Sequence, residues 1–247
     1  DEYDTAFFDK RSKFLQYLPE CVIVNNIEFD HADIFSSIED ILKMFRLLLR
    51  LVPRNGRVLL NGDEETCRSL LQNCPAPAVT VGTGEHCDFR IAITHAAENH
   101  TDFTIHGVTF TVPMTGEINV RNAAMAVCAA RFAGLSDDVI RAGLAAFKGV
   151  RRRQTERGST HGVRIVDDFG HHPTAIRETL RGLRQKYPGA RLWALFEPRS
   201  NTSRRNLLQN ELIEAMTSVT TIPPVPRARA SRRTVAGEVR RRRTSIG

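Results

Sequence analysis

No stretch of these 247 residues carries the unbroken apolar run of about 18 residues that a membrane-spanning helix requires. The richest candidate, Ile41 to Val52, is interrupted by Lys43, Arg46 and Arg50. A basic, then apolar, amino terminus is also missing. The chain opens with Asp1, Glu2 and Asp4, the reverse of a signal peptide, so no export is expected. No GxxxxGK[ST] occurs, so these residues contain no P-loop, and Gly82-Thr83-Gly84 is too short for a dinucleotide fingerprint. The five cysteines (Cys21, Cys67, Cys74, Cys87 and Cys128) are odd in number and form no CxxC pair. They read as reduced thiols of a cytoplasmic protein, with a metal site or a disulfide framework as the alternatives.

What the chain does have is charge, unevenly placed. The formal net charge of +7 resides entirely after residue 216. Residues 1–216 hold 27 Lys and Arg against 27 Asp and Glu, whereas residues 217–247 hold eight Arg, no Lys and one acid, Glu238. The basic balance therefore describes a tail and not the folded body. Pro223, Pro224, Pro226 and the Arg runs predict that 217–247 is disordered. A nucleic-acid-binding module acting through those arginines is one functional reading, driven by phosphate neutralisation. It is opposed by the lack of any Phe, Tyr or Trp there on which a base could stack.

Upstream, apolar periodicity predicts strand Cys21–Asn26, helix Ser36–Leu51, strand Arg57–Leu60, helix Asp63–Leu71 and strands Ala78–Val81 and Phe89–Thr94. Asp102–Val112 alternates around Gly107 as a hairpin should. Helices follow at Asn119–Ala133 and Ser136–Phe147, the latter opened by Ser136 with Asp137 and Asp138 in its first turn. Strand alternating with helix, then a hairpin, implies an α/β domain over residues 1–150 with a mainly parallel sheet. Gly149–Arg153 breaks the pattern. Beyond it, strand Val163–Asp167, helix Pro173–Lys186, strand Arg191–Phe196 and helix Arg204–Met216 predict the opening half of a second, Rossmann-like sheet over 151–216. Such a half-sheet would leave an exposed, aggregation-prone edge at Arg191–Phe196.

Three clusters could carry chemistry. Asn25 to Asp33 (NNIEFDHAD) follows the first strand, where open α/β sheets bind ligands, and its carboxylates and His31 could hold a divalent cation. The same residues could simply cap the next helix. Asp167 to Pro173 (DDFGHHP) lies between a strand's carboxyl end and a helix's amino end, where phosphate is a natural guest; a capped turn with solvated histidines is the alternative. Arg151–Arg153 could clamp a phosphoryl group or be a solvated surface. Glu197 to Thr202 (EPRSNT) offers a guanidinium fork, a hydroxyl and an amide, or only a polar loop.

In this order the segments resemble the Mur ligases, the ATP-dependent amide-forming enzymes of peptidoglycan synthesis. DEYDTAFFDKRSKF and NNIEFDHADIF look like the family's central ATPase domain just after its P-loop half, and GEINVRNAAMAV is similar to its adenine-side helix, GxHNxxNAxAA. GVRRR, VDDFGHHPTAI and LFEPRSNT resemble the start of its C-terminal domain. The resemblance covers about residues 1–216. It implies that His31 binds magnesium, that Asn122 contacts the nucleotide, and that Arg153 and Asp168 meet ATP phosphates and metal-bound water. It further implies that His171 helps at the nucleotide and that Arg199, Ser200 and Asn201 face the incoming peptide. Ile118 stands where the family usually has His, so Asn119 is not carried over.

Within the family, DEYDTAFFDKRSKF, FKGVRRR, DDFGHHPTAI and EPRSNT resemble the branch that joins a murein tripeptide to UDP-N-acetylmuramate; the L-alanine-adding branch is the alternative. The expected cofactors are ATP and Mg2+, with no nucleic-acid or membrane partner. Compared with that pattern, the chain lacks the UDP-binding domain, the P-loop and a metal-binding Glu expected just before Asp1. It is expected to be a fragment, inactive as given, whose Arg/Pro tail is either natural or what a shifted reading frame in GC-rich DNA could give. A non-catalytic scaffold is the remaining alternative.

Overall fold

The computed structural model describes residues 2–4, 9–198 and 208–217. They divide into two compact units, one within Asp1–Met114 and Ile118–Phe147, the other within Thr115–Glu117 and Lys148–Gly247.

The first unit is built on a six-stranded sheet in sequential order. Its strands are β1 (Cys21–Val24), β2 (Arg57–Asn61), β3 (Ala78–Gly82), β4 (Phe89–Ala96), β5 (Thr101–Ile105) and β6 (Val108–Val112). The first four pair in parallel, and β4, β5 and β6 pair antiparallel. Helical segments between β1 and β2 and between β2 and β3 return the chain parallel, residues 83–88 carry it into β4 without a helix, and a tight turn reverses it between β5 and β6. That turn is His106-Gly107, both left-handed with φ of 51° and 76°, the two-residue geometry that matches strand twist.

β2 explains why the unit coheres. Val58 and Leu60 point into the core under α1 (Ile38–Leu51), whereas Leu59 points into the core formed with α3 (Glu117–Phe132). All three are at most 1% exposed, as expected of a strand covered on both faces. α1 starts where the sequence places its cap. Ser37 Oγ accepts the Asp40 amide at 3.3 Å, and the Asp40 carboxylate accepts the Ser37 amide at 3.2 Å, a reciprocal capping box. The predicted helix at Asp63–Leu71 is shorter, with α2 spanning Glu65–Arg68 before a 3₁₀ turn at Ser69–Asn73. α4 (Asp137–Ala146) closes this unit against β6.

The second unit departs from expectation. β7 (Thr155–Thr160) and β8 (Val163–Asp167) form an antiparallel hairpin, and α5 (Pro173–Lys186) packs on α6 (Gln209–Thr217). β7 escaped sequence reading because TERGST has no apolar alternation; the left-handed pair His161-Gly162 closes its turn onto β8. The strand expected at Arg191–Phe196 is absent. Its residues alternate in exposure as an extended chain does, with Trp193 60% and Leu195 75% exposed, but no described strand pairs with them. Propensity alone cannot make a ladder, so there is no strand edge there. Of the helix predicted at Arg204–Met216, the part from Gln209 onward is described.

No described helix is long and apolar enough to cross a membrane. All five cysteines are free. Burial pushes the Cys67 thiol up to about 12 and the Cys128 thiol up to about 11, which keeps both protonated and unreactive.

Candidate functional site

The chain leaving β1 is fastened before it reaches His31. Asn61, fully buried at the end of β2, donates from its side-chain amide to the Asn25 carbonyl at 2.7 Å, and the Thr66 hydroxyl donates to the Ile27 carbonyl at 3.1 Å. These bonds satisfy backbone carbonyls that have left the ladder. His31 then takes a left-handed φ of 53°, its amide donating to Asp30 Oδ1 at 2.7 Å while its carbonyl accepts the amides of Ile34 and Phe35. The resulting turn brings the imidazole Nε2 to 2.9 Å from Glu2 Oε1, with Tyr3 edge-on at a ring separation of 4.8 Å. The Tyr3 hydroxyl donates to Asp33 Oδ2 at 2.5 Å.

This is an acidic environment for a histidine. The Glu2 hydrogen bond raises the His31 pKa above its ordinary 6.5 against the opposing effect of burial, and Asp30 and Asp33 add to the rise. Reciprocally, the His31 hydrogen bond holds the Glu2 carboxyl below the usual range. The two halves of the pair are lost at opposite ends of the pH scale. The raised imidazole loses its contribution as pH climbs through its folded pKa, and the depressed carboxylate loses its own as pH falls through its folded pKa. The pair therefore supports the fold in the interval between them. An NMR titration is expected to show His31 ionising above 6.5 and returning toward that value in Glu2→Gln. A wild-type His31 that titrates at or below 6.5 would refute the pairing.

A Glu2–His31 pair also suits a divalent cation in donor chemistry: one charged oxygen and one imidazole nitrogen, available once the cation displaces the imidazole proton. Sequence reading missed Glu2. It lies 29 positions from His31, and only the fold brings it there.

Asn122 sits on α3 with its side chain exposed, on the face opposite the buried Ala123, Ala124 and Val127. That position leaves its amide available to a ligand.

In the second unit a different turn gathers Arg153 and Asp168. Arg152 and Gln154 are both left-handed, at φ of 59° and 49°, and fold 151–154 back beside the end of β8. Asp168 anchors this fold. Its Oδ2 accepts the Gln154 amide at 2.9 Å and its Oδ1 accepts the Gly170 amide at 2.7 Å, while Arg153 Nη1 stands 3.9 Å from Oδ1. The Phe169 amide donates to the Arg152 carbonyl at 2.8 Å, and the Arg152 guanidinium lies 4.6 Å above the Phe169 ring. Next door, a hydrogen bond from Arg157 holds Asp167 below the usual carboxylate range. His171 follows in the same loop with its ring edge-on to Phe169, and His172 caps α5, whose first residue is Pro173. The Arg153 side chain is about half exposed at 49%, so its guanidinium can reach a ligand, whereas Asp168 at 17% is committed to the loop.

The structure thus joins Arg153 and Asp168 in one ion pair, with His171 in the same loop, and places His31 and Asn122 in the first unit. Arg199, Ser200 and Asn201 lie outside the described residues, as does 218–247.

Residues 6–130 match the Mur ligase middle domain, and residues 151–244 match the Mur ligase glutamate ligase domain. The second match runs past Met216 into the Arg-rich segment, further than the motifs alone reached. The chain is 40% identical over 219 residues to the UDP-N-acetylmuramate–L-alanyl-γ-D-glutamyl-meso-2,6-diaminoheptandioate ligase of Escherichia coli K12, covering 87% of this chain and 48% of that protein. It is 33% identical over 204 residues to the UDP-N-acetylmuramate–L-alanine ligase of Desulfitobacterium hafniense, covering 81% and 45%. Among solved structures, the murein peptide ligase of Psychrobacter arcticus superposes with a TM-score of 0.62 at 34% identity, over 88% of this chain and 45% of that one. MurF of Acinetobacter baumannii, at 18% identity, shares the fold with a TM-score of 0.71. The chain spans about half the length of the curated relatives it matches. With both family domains matched in order along the chain, the protein belongs to the Mur ligase family.

Proposed function

We propose that this chain is part of an ATP-dependent ligase that joins the tripeptide L-Ala-γ-D-Glu-meso-diaminopimelate to UDP-N-acetylmuramate in the cytoplasm, for peptidoglycan recycling. The observation that carries this reading is the 40% identity, across 87% of the chain, to a relative named for that substrate pair. In such a reaction the γ-phosphate of ATP passes to the sugar carboxylate, and the peptide amine attacks the acyl phosphate and expels phosphate. Positioning and charge neutralisation supply most of the rate.

The resemblance to the family supplies the proposed role of each residue. His31, with Glu2 beside it, would hold Mg2+, which when bound neutralises phosphate charge. Asn122, on the exposed face of α3, would hydrogen-bond the nucleotide. Arg153 would reach the transferring phosphoryl group from its half-exposed position. Asp168 would keep that turn in place and accept a hydrogen bond from metal-bound water, with His171 beside the nucleotide. Arg199, Ser200 and Asn201 would face the peptide.

The L-alanine-adding reaction is the second reading, favoured by the 33% identical relative. The full-length parent decides between them. ADP release with UDP-N-acetylmuramate plus tripeptide, and little with L-alanine, is the expected result. Release with alanine and none with tripeptide would overturn the proposal.

A further inference from the structure

We propose that Asp63, His86 and Cys87 form a binding site for a divalent transition-metal ion of the zinc class, at the carboxyl ends of β2 and β3. The motif reading did not use these residues. Gly62-Asp63 follows β2, and Thr83 to Cys87 follows β3, so two neighbouring parallel strands deliver both loops to one place.

The donor atoms are gathered. A carboxylate oxygen of Asp63, a ring nitrogen of His86 and the sulfur of Cys87 all lie within 4.8 Å of one another. A tetrahedral ion with bonds of about 2.0–2.3 Å sets its ligand atoms about 3.3–3.8 Å apart. A contraction of about an ångström completes the set. The Cys87 sulfur is already 3.9 Å from Asp63 Oδ1.

The imidazole is held in a suitable tautomer. His86 Nε2 lies 2.7 Å from the Gly62 carbonyl oxygen, which can only accept, so Nε2 carries the proton and Nδ1 keeps its lone pair. Orientation of a ligating imidazole by a carbonyl at its other nitrogen is the usual arrangement in metal sites. Arg68 Nη1 donates to the same carbonyl and stands 3.4 Å from Nε2, a longer contact than the 2.7 Å from Nε2 to the carbonyl.

Glycine keeps the donors close. A Cβ at Gly84 would lie 2.8 Å from His86 Nδ1 and 3.2 Å from Asp63 Oδ1, and one at Gly62 would lie 2.4 Å from Cys87 Sγ. Neither residue can bear a side chain without pushing a donor away. Asp63 is fixed by the amides of Thr83 and Gly84 at 2.9 Å and 2.8 Å and by the Thr83 hydroxyl. Burial opposes its ionisation, but those bonds and Arg121, 3.7 Å away, prevail and hold its carboxyl below the usual range.

Charge and softness decide the ion. A carboxylate and a thiolate together cancel the double positive charge of the ion, so the loaded site adds no net positive charge beside Arg68 and Arg121. Burial and Asp63 keep the Cys87 thiol protonated until a cation displaces its proton. Sulfur and imidazole select zinc or cobalt over magnesium. His86 is exposed, so the ion has an entry path, and three protein ligands leave a fourth position for water.

Cobalt is the probe, because a cobalt–thiolate bond gives a charge-transfer band in the near ultraviolet. The full 247-residue chain, purified reduced, is titrated with Co2+ and its folding followed by far-ultraviolet circular dichroism. We expect a band that saturates at one equivalent, is abolished by Zn2+, and persists in a large excess of Mg2+. Cys87→Ser should remove the band, and His86→Ala, an exposed position that does not threaten folding, should weaken Co2+ affinity at least tenfold. Cys74→Ser should leave both unchanged. A wild-type chain without the band, a band that survives Cys87→Ser, displacement by Mg2+, or an affinity indifferent to His86→Ala would each overturn the site. If Cys87→Ser loses its circular dichroism signal, the His86→Ala affinity decides.

Discussion

Residues 1–247 by themselves are expected to release no ADP from ATP in the presence of Mg2+, UDP-N-acetylmuramate and any murein peptide. The reason is positional. A phosphoryl group transfers quickly only when it is held in line with its acceptor, and such positioning accounts for about 7–11 kcal/mol of a barrier. P-loop amides and their lysine provide that hold in nucleotide-binding folds, and these residues contain no GxxxxGK[ST]. The His31–Glu2 pair can hold the cation only once the imidazole proton is displaced, and it does not replace the phosphate cradle. A coupled ADP assay at high protein concentration makes the measurement. Turnover above background that disappears in His31→Ala or Asp168→Ala would show that the missing cradle is dispensable.

Legibility in the sequence followed how local each signal was. α1 could be read because its start is written in four adjacent residues, Ser37 to Asp40, and its apolar stripe repeats at helical spacing. α5 was equally plain, opened by Pro173 and closed with Arg184 and Lys186 in its last turn. The hairpin at Gly107 needed only one glycine between alternating residues. Where a structure depends on a distant partner, the reading failed. Arg191–Phe196 has strand composition but no ladder partner among the described residues, while TERGST lacks strand composition and is paired by β8.

The candidate site divides the same way. His31 and Asp168 stood out because each lies in a cluster of polar residues that follows a strand. Glu2, which faces His31, and Gln154, whose amide Asp168 accepts, are distant in sequence and carry no local mark. Asp63 and Cys87 became neighbours only through the parallel pairing of β2 with β3. The strand order would have revealed them: consecutive parallel strands put the loops that follow them side by side.

If Arg153 acts as proposed, on the phosphoryl group as it transfers, Arg153→Ala in the full-length parent should lower kcat on the order of 10³-fold while changing the KM for ATP little, because a charge used in the transition state matters less where ATP is merely bound. The geometry separates this residue from its partner. Arg153 is half exposed and 3.9 Å from Asp168, a separation that leaves its guanidinium able to turn toward a phosphate. Asp168 instead accepts two backbone amides, from Gln154 and Gly170. Replacing it with Ala leaves both amides without that acceptor, a loss of roughly 1–3 kcal/mol where such groups are buried. Asp168→Ala is therefore expected to lower thermal stability as well as kcat, and Asp168→Asn, which keeps one acceptor oxygen, to recover stability more than rate. Arg153→Lys should not restore kcat, since an ammonium lacks the planar fork that grips two phosphate oxygens at once. Steady-state kinetics and melting curves of the four variants test the assignment together. An Arg153→Ala enzyme within about threefold of wild-type kcat, far short of the loss a charge-stabilising arginine produces, would reduce Arg153 to a surface cation.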